Sequence, residues 1–300
     1  MNTLESMQVF IRVAEQASFT RAAESLGLLK ATVSQAVQQL ENSLGTRLLH
    51  RTTRKVQMTL DGHAYYERCK ELLADVESVQ TMFQRSGEAV RGRLRVDMPI
   101  GLARRYVIPR LPDFLREHPR IEFELSTTDR LVDVIQEGFD CVLRVGAPRD
   151  PQIIARPVGQ LAFINVASAD YLRRRGTPRT LADLATHDLV HYVSVLGNRS
   201  DGFEYADGDG FKLLSMSGPV VVNSSDAYHA ACLAGLGIIQ APLIGVQEEI
   251  ARGEVVEILP QLIPAPMPVS LLYAHRRNLP KRVRVFMDWV AEILEPLFRP

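Results

Sequence analysis

Between residues 31 and 44 the amide and hydroxyl side chains fall on one side of a helical repeat. At 100° per residue, Ala31, Gln35, Gln38 and Asn42 share a face flanked by Thr32, Ser34 and Gln39, while Val33, Val37, Leu40 and Leu44 form an apolar stripe opposite. An uncharged, amide-rich face suits the reading of base edges: glutamine can bridge N6 and N7 of adenine, and threonine or alanine can meet a thymine methyl. Ala31, Thr32, Ser34, Gln35 and Gln38 are the candidate base readers. The next run, 46–59, carries Arg47, Arg51, Arg54 and Lys55, no acid, and apolar residues on either side of a threonine-rich centre. It reads as a two-stranded wing in which Arg51, Thr52, Arg54 and Lys55 meet phosphates or enter the minor groove. A solvated charged hairpin is the plainer reading of a basic run alone; the helix pair before it favours DNA.

Such a face needs helices to hold it. Leu4, Met7, Phe10, Ile11 and Ala14 recur at helical spacing, and Ser18-Phe19-Thr20 offers a hydroxyl cap to a short helix over 21–26. Gly27 can end that helix, and a third follows over about 31–43. A short helix, a tight turn and a helix with polar groups near its start is the requirement of a helix-turn-helix. From 61 to about 84, Tyr65, Cys69, Leu72, Val76, Val79 and Phe83 are spaced 4, 3, 4, 3, 4, the seam of a coiled coil. Packed against its copy in a second subunit, this seam would join two heads and match a two-fold operator; a single helix lying on its own domain is the alternative. Residues 87–92 read as a hinge.

The remainder alternates strands with helices. Strands are expected at 94–98, 121–125, 141–145, 163–166, 190–195, 220–222, 238–240, 255–259 and 269–274, and helices at 103–118, 129–137, 227–236, 244–252 and 281–294. That order predicts an α/β fold with mostly parallel sheets, with small ligands at the strand C-terminal ends. Ile100, Gly101, Thr127, Thr128, Gly146 and Ser224 lie at such ends, where small and hydroxyl groups can expose helix amides to an anion. Ordinary helix capping by the same hydroxyls is the alternative reading.

Catalysis and metal chemistry find little here. The chain has no GKS or GKT loop, no GxGxxG after a strand, no GxSxG and no HExxH, so no catalytic residue and no cofactor is assigned. His187 and His191 would share a helical face, but 189–193 reads as a strand and a third ligand is lacking. Cys69, Cys141 and Cys232 are odd in number, without CxxC spacing, and read as buried free thiols.

The whole chain is neutral, with 35 basic and 35 acidic residues among 300, yet residues 1–60 carry a surplus of three positive charges. All seventeen prolines lie at or after Pro99. Both facts divide a helix-rich head from a larger second part. The longest apolar stretch, 230–239, is too short for a bilayer and no signal core opens the chain, so a cytoplasmic protein is expected.

The motifs Ser18-Phe19-Thr20-Arg21-Ala22-Ala23, 32–51 (TVSQAVQQLENSLGTRLLHR) and Thr59-Leu60-Asp61-Gly62 resemble the winged helix-turn-helix and linker helix of the LysR-type transcriptional regulator family. Residues 140–146 (DCVLRVG) and Gly235-Leu236-Gly237-Ile238 resemble its effector-domain motifs. The resemblance covers essentially the full chain and departs at Leu29, where the family favours a capping serine, and at Leu49, where it favours phenylalanine. It implies a winged helix-turn-helix at 1–60, a dimerisation helix and hinge at 61–90, and a two-lobed, periplasmic-binding-protein-like domain at 91–300. The lobes would be 91–162 with 268–300, and 163–267. It further implies binding of double-stranded promoter DNA, a small and often anionic effector, and self-association as a dimer that pairs into a tetramer, with no membrane partner. A ligand-free architectural DNA binder would not need the last two hundred residues.

Overall fold

A computed structural model describes residues 2–51, 56–81, 90–135, 137–148, 150, 153–274 and 279–298. Helix α1 (Thr3–Gln16) begins in a capping box, the Asn2 side chain accepting from the Glu5 amide while the Glu5 carboxylate accepts from Asn2. Helix α2 (Phe19–Leu26) is capped by Ser18 Oγ and stops at Gly27, whose φ of +64° is the left-handed conformation that glycine takes without strain. Helix α3 (Lys30–Leu44) follows Leu29, which makes no side-chain cap. Val33, Ala36, Val37 and Leu40 pack against Phe10, Val13 and Ala22. Leu44, placed by spacing on the buried stripe, is 42% exposed, because the helix is leaving the core at its last turn.

Strands β1 (Leu49–Arg51) and β2 (Val56–Met58) pair antiparallel, Leu49 opposite Met58. Thr59 joins this wing to α4 (Leu60–Thr81): its amide donates to the Leu48 carbonyl at 2.9 Å, its hydroxyl to the Arg47 carbonyl at 2.7 Å, and its Oγ1 accepts from the Gly62 amide at 2.8 Å. A Cβ on Gly62 would lie 2.0 Å from the Leu48 carbonyl oxygen, so that approach requires glycine.

Helix α4 corrects the expected seam. Cys69 is fully buried in the head of its own subunit, so it cannot face a partner, and half-buried Tyr65 packs on Phe10 at 5.6 Å between ring centroids. A 4, 3, 4 spacing marks one apolar face, and the nearest apolar surface is α1. Leu72 is 46% exposed and Val76 half-buried. The Val79 side chain and Phe83 lie outside the described residues.

The second part holds a five-stranded sheet, order β4-β3-β5-β14-β6: β3 (Arg91–Met98), β4 (Arg120–Thr127), β5 (Cys141–Val145), β6 (Ile153–Leu161) and β14 (Met267–Ala274). Strand β3 runs parallel to β4 and β5, but β14 returns antiparallel to β5 and β6. A second sheet, β12-β7-β13, is antiparallel throughout, from β7 (Phe163–Ser168), β12 (Ile239–Pro242) and β13 (Val255–Glu257). Short pairs β8 (His191–Tyr192) with β11 (Val221–Val222), and β9 (Phe203–Asp207) with β10 (Gly210–Leu214), flank it. The sheets are therefore mixed rather than mostly parallel; a strand that crosses back between two sheets can pair in either sense.

Two predicted helices change. The expected 103–118 helix is α5 (Ile100–Leu102), a π turn (Ala103–Val107), a 3₁₀ turn (Ile108–Arg110) and α6 (Leu111–Glu117), broken where Pro109 and Pro112 lack amide donors. The expected 129–137 helix does not form over the described residues 129–135: Asp133 Oδ1 accepts from the Ile135 amide and Glu137 Oε1 from the Asp133 amide, bonds that compete with helical ones. The remaining helices are α7 (Ala169–Arg175), α8 (Ser225–Leu233), α9 (Leu243–Ala251) and α10 (Lys281–Leu294); α10 buries Val283, Phe286, Met287, Val290 and Leu294 on the first sheet beside Phe114 and Trp289.

Candidate DNA-reading face and interlobe cleft

On α3, Ala31, Gln35 and Gln38 are exposed, and Thr32 and Ser34 are half-buried at the edges of the same face. Their backs rest on the packed three-helix core, so the face is held rigidly. The Glu41 carboxylate accepts from the amides of Leu48 and Leu49 at 2.9 and 3.1 Å, tying the first wing strand to α3. Arg51 lies in β1, its side chain outside the described residues, as are Thr52, Arg54 and Lys55. Lys30, exposed beside Ala31, adds a cation at the start of α3 that a search for amide periodicity passes over.

The two sheets enclose a cleft of about 520 Å³. Of the six residues expected there, Gly101 lines it; Ile100, Thr127, Thr128, Gly146 and Ser224 do not. Four of those five sit one position from a lining residue (Gly101, Asp129, Val145, Ser225). The Thr128 hydroxyl is turned to Asp97 Oδ2 at 3.4 Å instead.

Asp97 of β3 is fully buried and pairs with Arg144 of β5, itself 6% exposed. Burial pushes the Asp97 carboxyl up, against the pull of Ser126 and Arg144. The same guanidinium donates to the Leu143, Thr128 and Arg130 carbonyls at 3.1, 3.3 and 3.0 Å. Across the cleft, Asp129 Oδ2 accepts from the Ser225 amide at 2.6 Å and its hydroxyl at 2.7 Å. Arg105 donates to the Ile244 carbonyl at 2.9 Å and pairs with Glu249 at 3.3 Å. Tyr192 and Tyr228 meet edge-on at 5.6 Å, and burial pushes the Tyr192 hydroxyl up to about 12. His229 lines the cleft with its pKa pushed down by burial, so it is neutral near pH 7. Sequence reasoning missed these polar groups, although one signal was legible: Arg144 is the single charge in the apolar strand run 141–145.

The two histidines flagged earlier do not converge on a metal. His187 is buried with Nδ1 3.2 Å from the Tyr171 hydroxyl, and among the described residues no three metal-ligating groups cluster. All three cysteines are buried free thiols; burial pushes Cys69 up to about 11, Cys232 up to about 12 and Cys141 further.

A winged helix-turn-helix head on a long helix, followed by two sheets around a largely apolar cleft with a few charged and hydroxyl groups, defines a ligand-responsive DNA-binding protein. Two family models cover most of the chain: the bacterial regulatory helix-turn-helix protein of the lysR family over residues 4–63, and the LysR substrate binding domain over 87–295. The chain belongs to the LysR family of transcriptional regulators. It is 45% identical over 295 residues to the uncharacterized HTH-type transcriptional regulator YhjC of Escherichia coli (strain K12), spanning 98% of this chain and 99% of that one. It is 36% identical to an HTH-type transcriptional repressor of Pseudomonas aeruginosa, over 98% of this chain and 92% of the other. The solved structure of CrgA, a LysR-type transcriptional regulator from Neisseria meningitidis, matches at TM-score 0.61 and 29% identity, over 97% of this chain and 98% of that one.

Proposed function

We propose that this regulator reads operator bases with Ala31, Thr32, Ser34, Gln35 and Gln38, and holds phosphates with Arg51, Thr52, Arg54 and Lys55 of the wing. The head spans 1–60, the linker 61–90 and the sensor 91–300. The interlobe cleft takes a small anionic effector and releases it unchanged, without turnover. In support, the cations Arg104 and Arg105 line the cleft, and Arg104 keeps an exposed guanidinium that an anion could reach. The protein acts in the cytoplasm as a dimer that pairs into a tetramer; among the described seam residues, Leu72 and Val76 are those that α4 leaves outside the head's core for a partner.

The observation that carries the reading is the exposure of Gln35 on a face whose reverse side is fixed in the head's core, beside a wing tied down by Glu41. Gln35→Ala should cost about 1–3 kcal/mol on the specific operator and far less on random DNA. Equal losses on both, measured by fluorescence anisotropy at one salt concentration, would make Gln35 a positioning contact and defeat the base-reading assignment.

A further inference from the structure

The chain passes between the two sheets twice, at Ala162 and on entering β14 at Met267. Polar contacts also bridge the cleft. Arg105 and Tyr106 of the π turn donate to the Ile244 carbonyl, Arg105 pairs with Glu249, and Arg104 pairs with Asp226 of α8 at 3.5 Å. One more contact is built differently. Helix α8 begins without a side-chain cap of its own, Ser224 offering none, and its first amide and hydroxyl are satisfied by Asp129, 96 positions earlier in the chain and on the opposite wall.

The carboxylate is not delivered by a loose loop. The carbonyls on either side of it, those of Thr128 and Arg130, both accept from Arg144, which is locked by its pair with buried Asp97. The Arg130 side chain is in turn held by Glu137 at 2.7 Å. Asp129 is therefore aimed from a rigid point on one lobe at a rigid point on the other. A hydrogen bond to an ionised acceptor is stronger than one between neutral groups, and one carboxylate oxygen takes both donors here. Asp129, Arg144, Tyr192 and Ser225 all line the cleft, so a ligand entering it meets this contact.

We infer that Asp129 is a latch: its contact with Ser225 holds the two lobes in their present orientation, and its release permits the lobe movement that an effector exploits. The second half of this inference rests on the reading of the cleft as the sensor. Only a difference in affinity between two lobe orientations can transmit a signal, and a contact between rigid lobes that is made in one orientation and released in the other distinguishes the two.

The test uses full-length protein without effector. Because the native thiols are buried, spin labels can be placed selectively on Asp288→Cys and Arg173→Cys, exposed positions on α10 and α7, with labelled subunits diluted into unlabelled ones. Asp129→Ala should lengthen or broaden the interlobe distance and change operator affinity about fivefold or more. Asp129→Asn keeps an acceptor without the charge and should restore much of the wild-type distance; Ser225→Ala keeps the amide and should fall between. An Asp129→Ala distance distribution identical to wild type would overturn the latch. A changed distance with unchanged operator affinity would uphold the latch and fail the cleft as the site that controls DNA binding.

Discussion

Arg144 serves two ends of one strand position, neutralising Asp97 inside the sheet and fixing the carbonyls of the loop that carries Asp129. Replacing it by methionine leaves a fully buried carboxylate without its cation, which typically costs about 3–5 kcal/mol, and urea melts should register that loss. Thr128→Val removes only a long 3.4 Å bond to the same carboxylate, so stability should fall by about 1 kcal/mol or less and ligand response should hold. A large loss of ligand response in Thr128→Val would return that hydroxyl to the binding site. His187 provides a pH signature. Burial lowers its pKa below the unfolded value of about 6.5, so the unfolded chain takes up the proton first. The stability of the neutral ring is then complete above that value and lost as pH falls towards the folded pKa. His187→Asn, which cannot titrate, should trail wild type in melts at pH 7.5 and lose part of that deficit at pH 5.5; a deficit independent of pH would contradict the assignment. Arg144 could be noticed in the sequence as a charge inside an apolar run, but its partnership with Asp97 could not, because 46 residues separate them and only the β3–β5 pairing brings them together.

At the scale of elements, Gly62 shows how tightly the wing and the linker helix meet. A methyl there must displace the Leu48 carbonyl, so Gly62→Ala should destabilise the head by about 1–3 kcal/mol, as overpacking does, and weaken DNA binding in proportion. An unaffected melt would show that α4 can move away from the wing. Helix α4 also explains where pattern reading ran out. Its apolar spacing was legible; which surface covers that spacing was not, since α1 of the same chain and α4 of a second chain satisfy it equally well. The 129–137 segment has helical composition, but the side-chain bonds of Asp133 and Glu137, the Arg144 bond to the Arg130 carbonyl and the Asp129 contact with Ser225 hold its described residues out of a helix. The β9–β10 hairpin was missed although its signal was present: Gly208-Asp209 joins the two strands, with Gly208 at φ +59°, the conformation a tight hairpin turn demands.

At the scale of the molecule, the heads must be held as a pair for a two-fold operator to be read. Leu72→Asp with Val76→Asp places two carboxylates on the α4 surface left outside the head's core. If that surface joins two subunits, burying unpaired charge should dissociate the dimer and abolish high-affinity binding, because a lone head makes half the contacts. Sedimentation at wild-type speed would assign dimerisation to another surface.

Sequencing the genomic DNA that stays bound to the full-length protein, beside the Gln35→Ala variant, tests the central claim most directly: that an amide-rich helix face reads bases under the control of a two-lobed sensor. The account predicts a small set of strongly enriched sites with two-fold symmetric half-sites about one helical turn or a multiple apart, lost in the Gln35→Ala profile and altered in the Asp129→Ala profile. Uniform genomic coverage, or an identical set of sites in all three proteins, would contradict it.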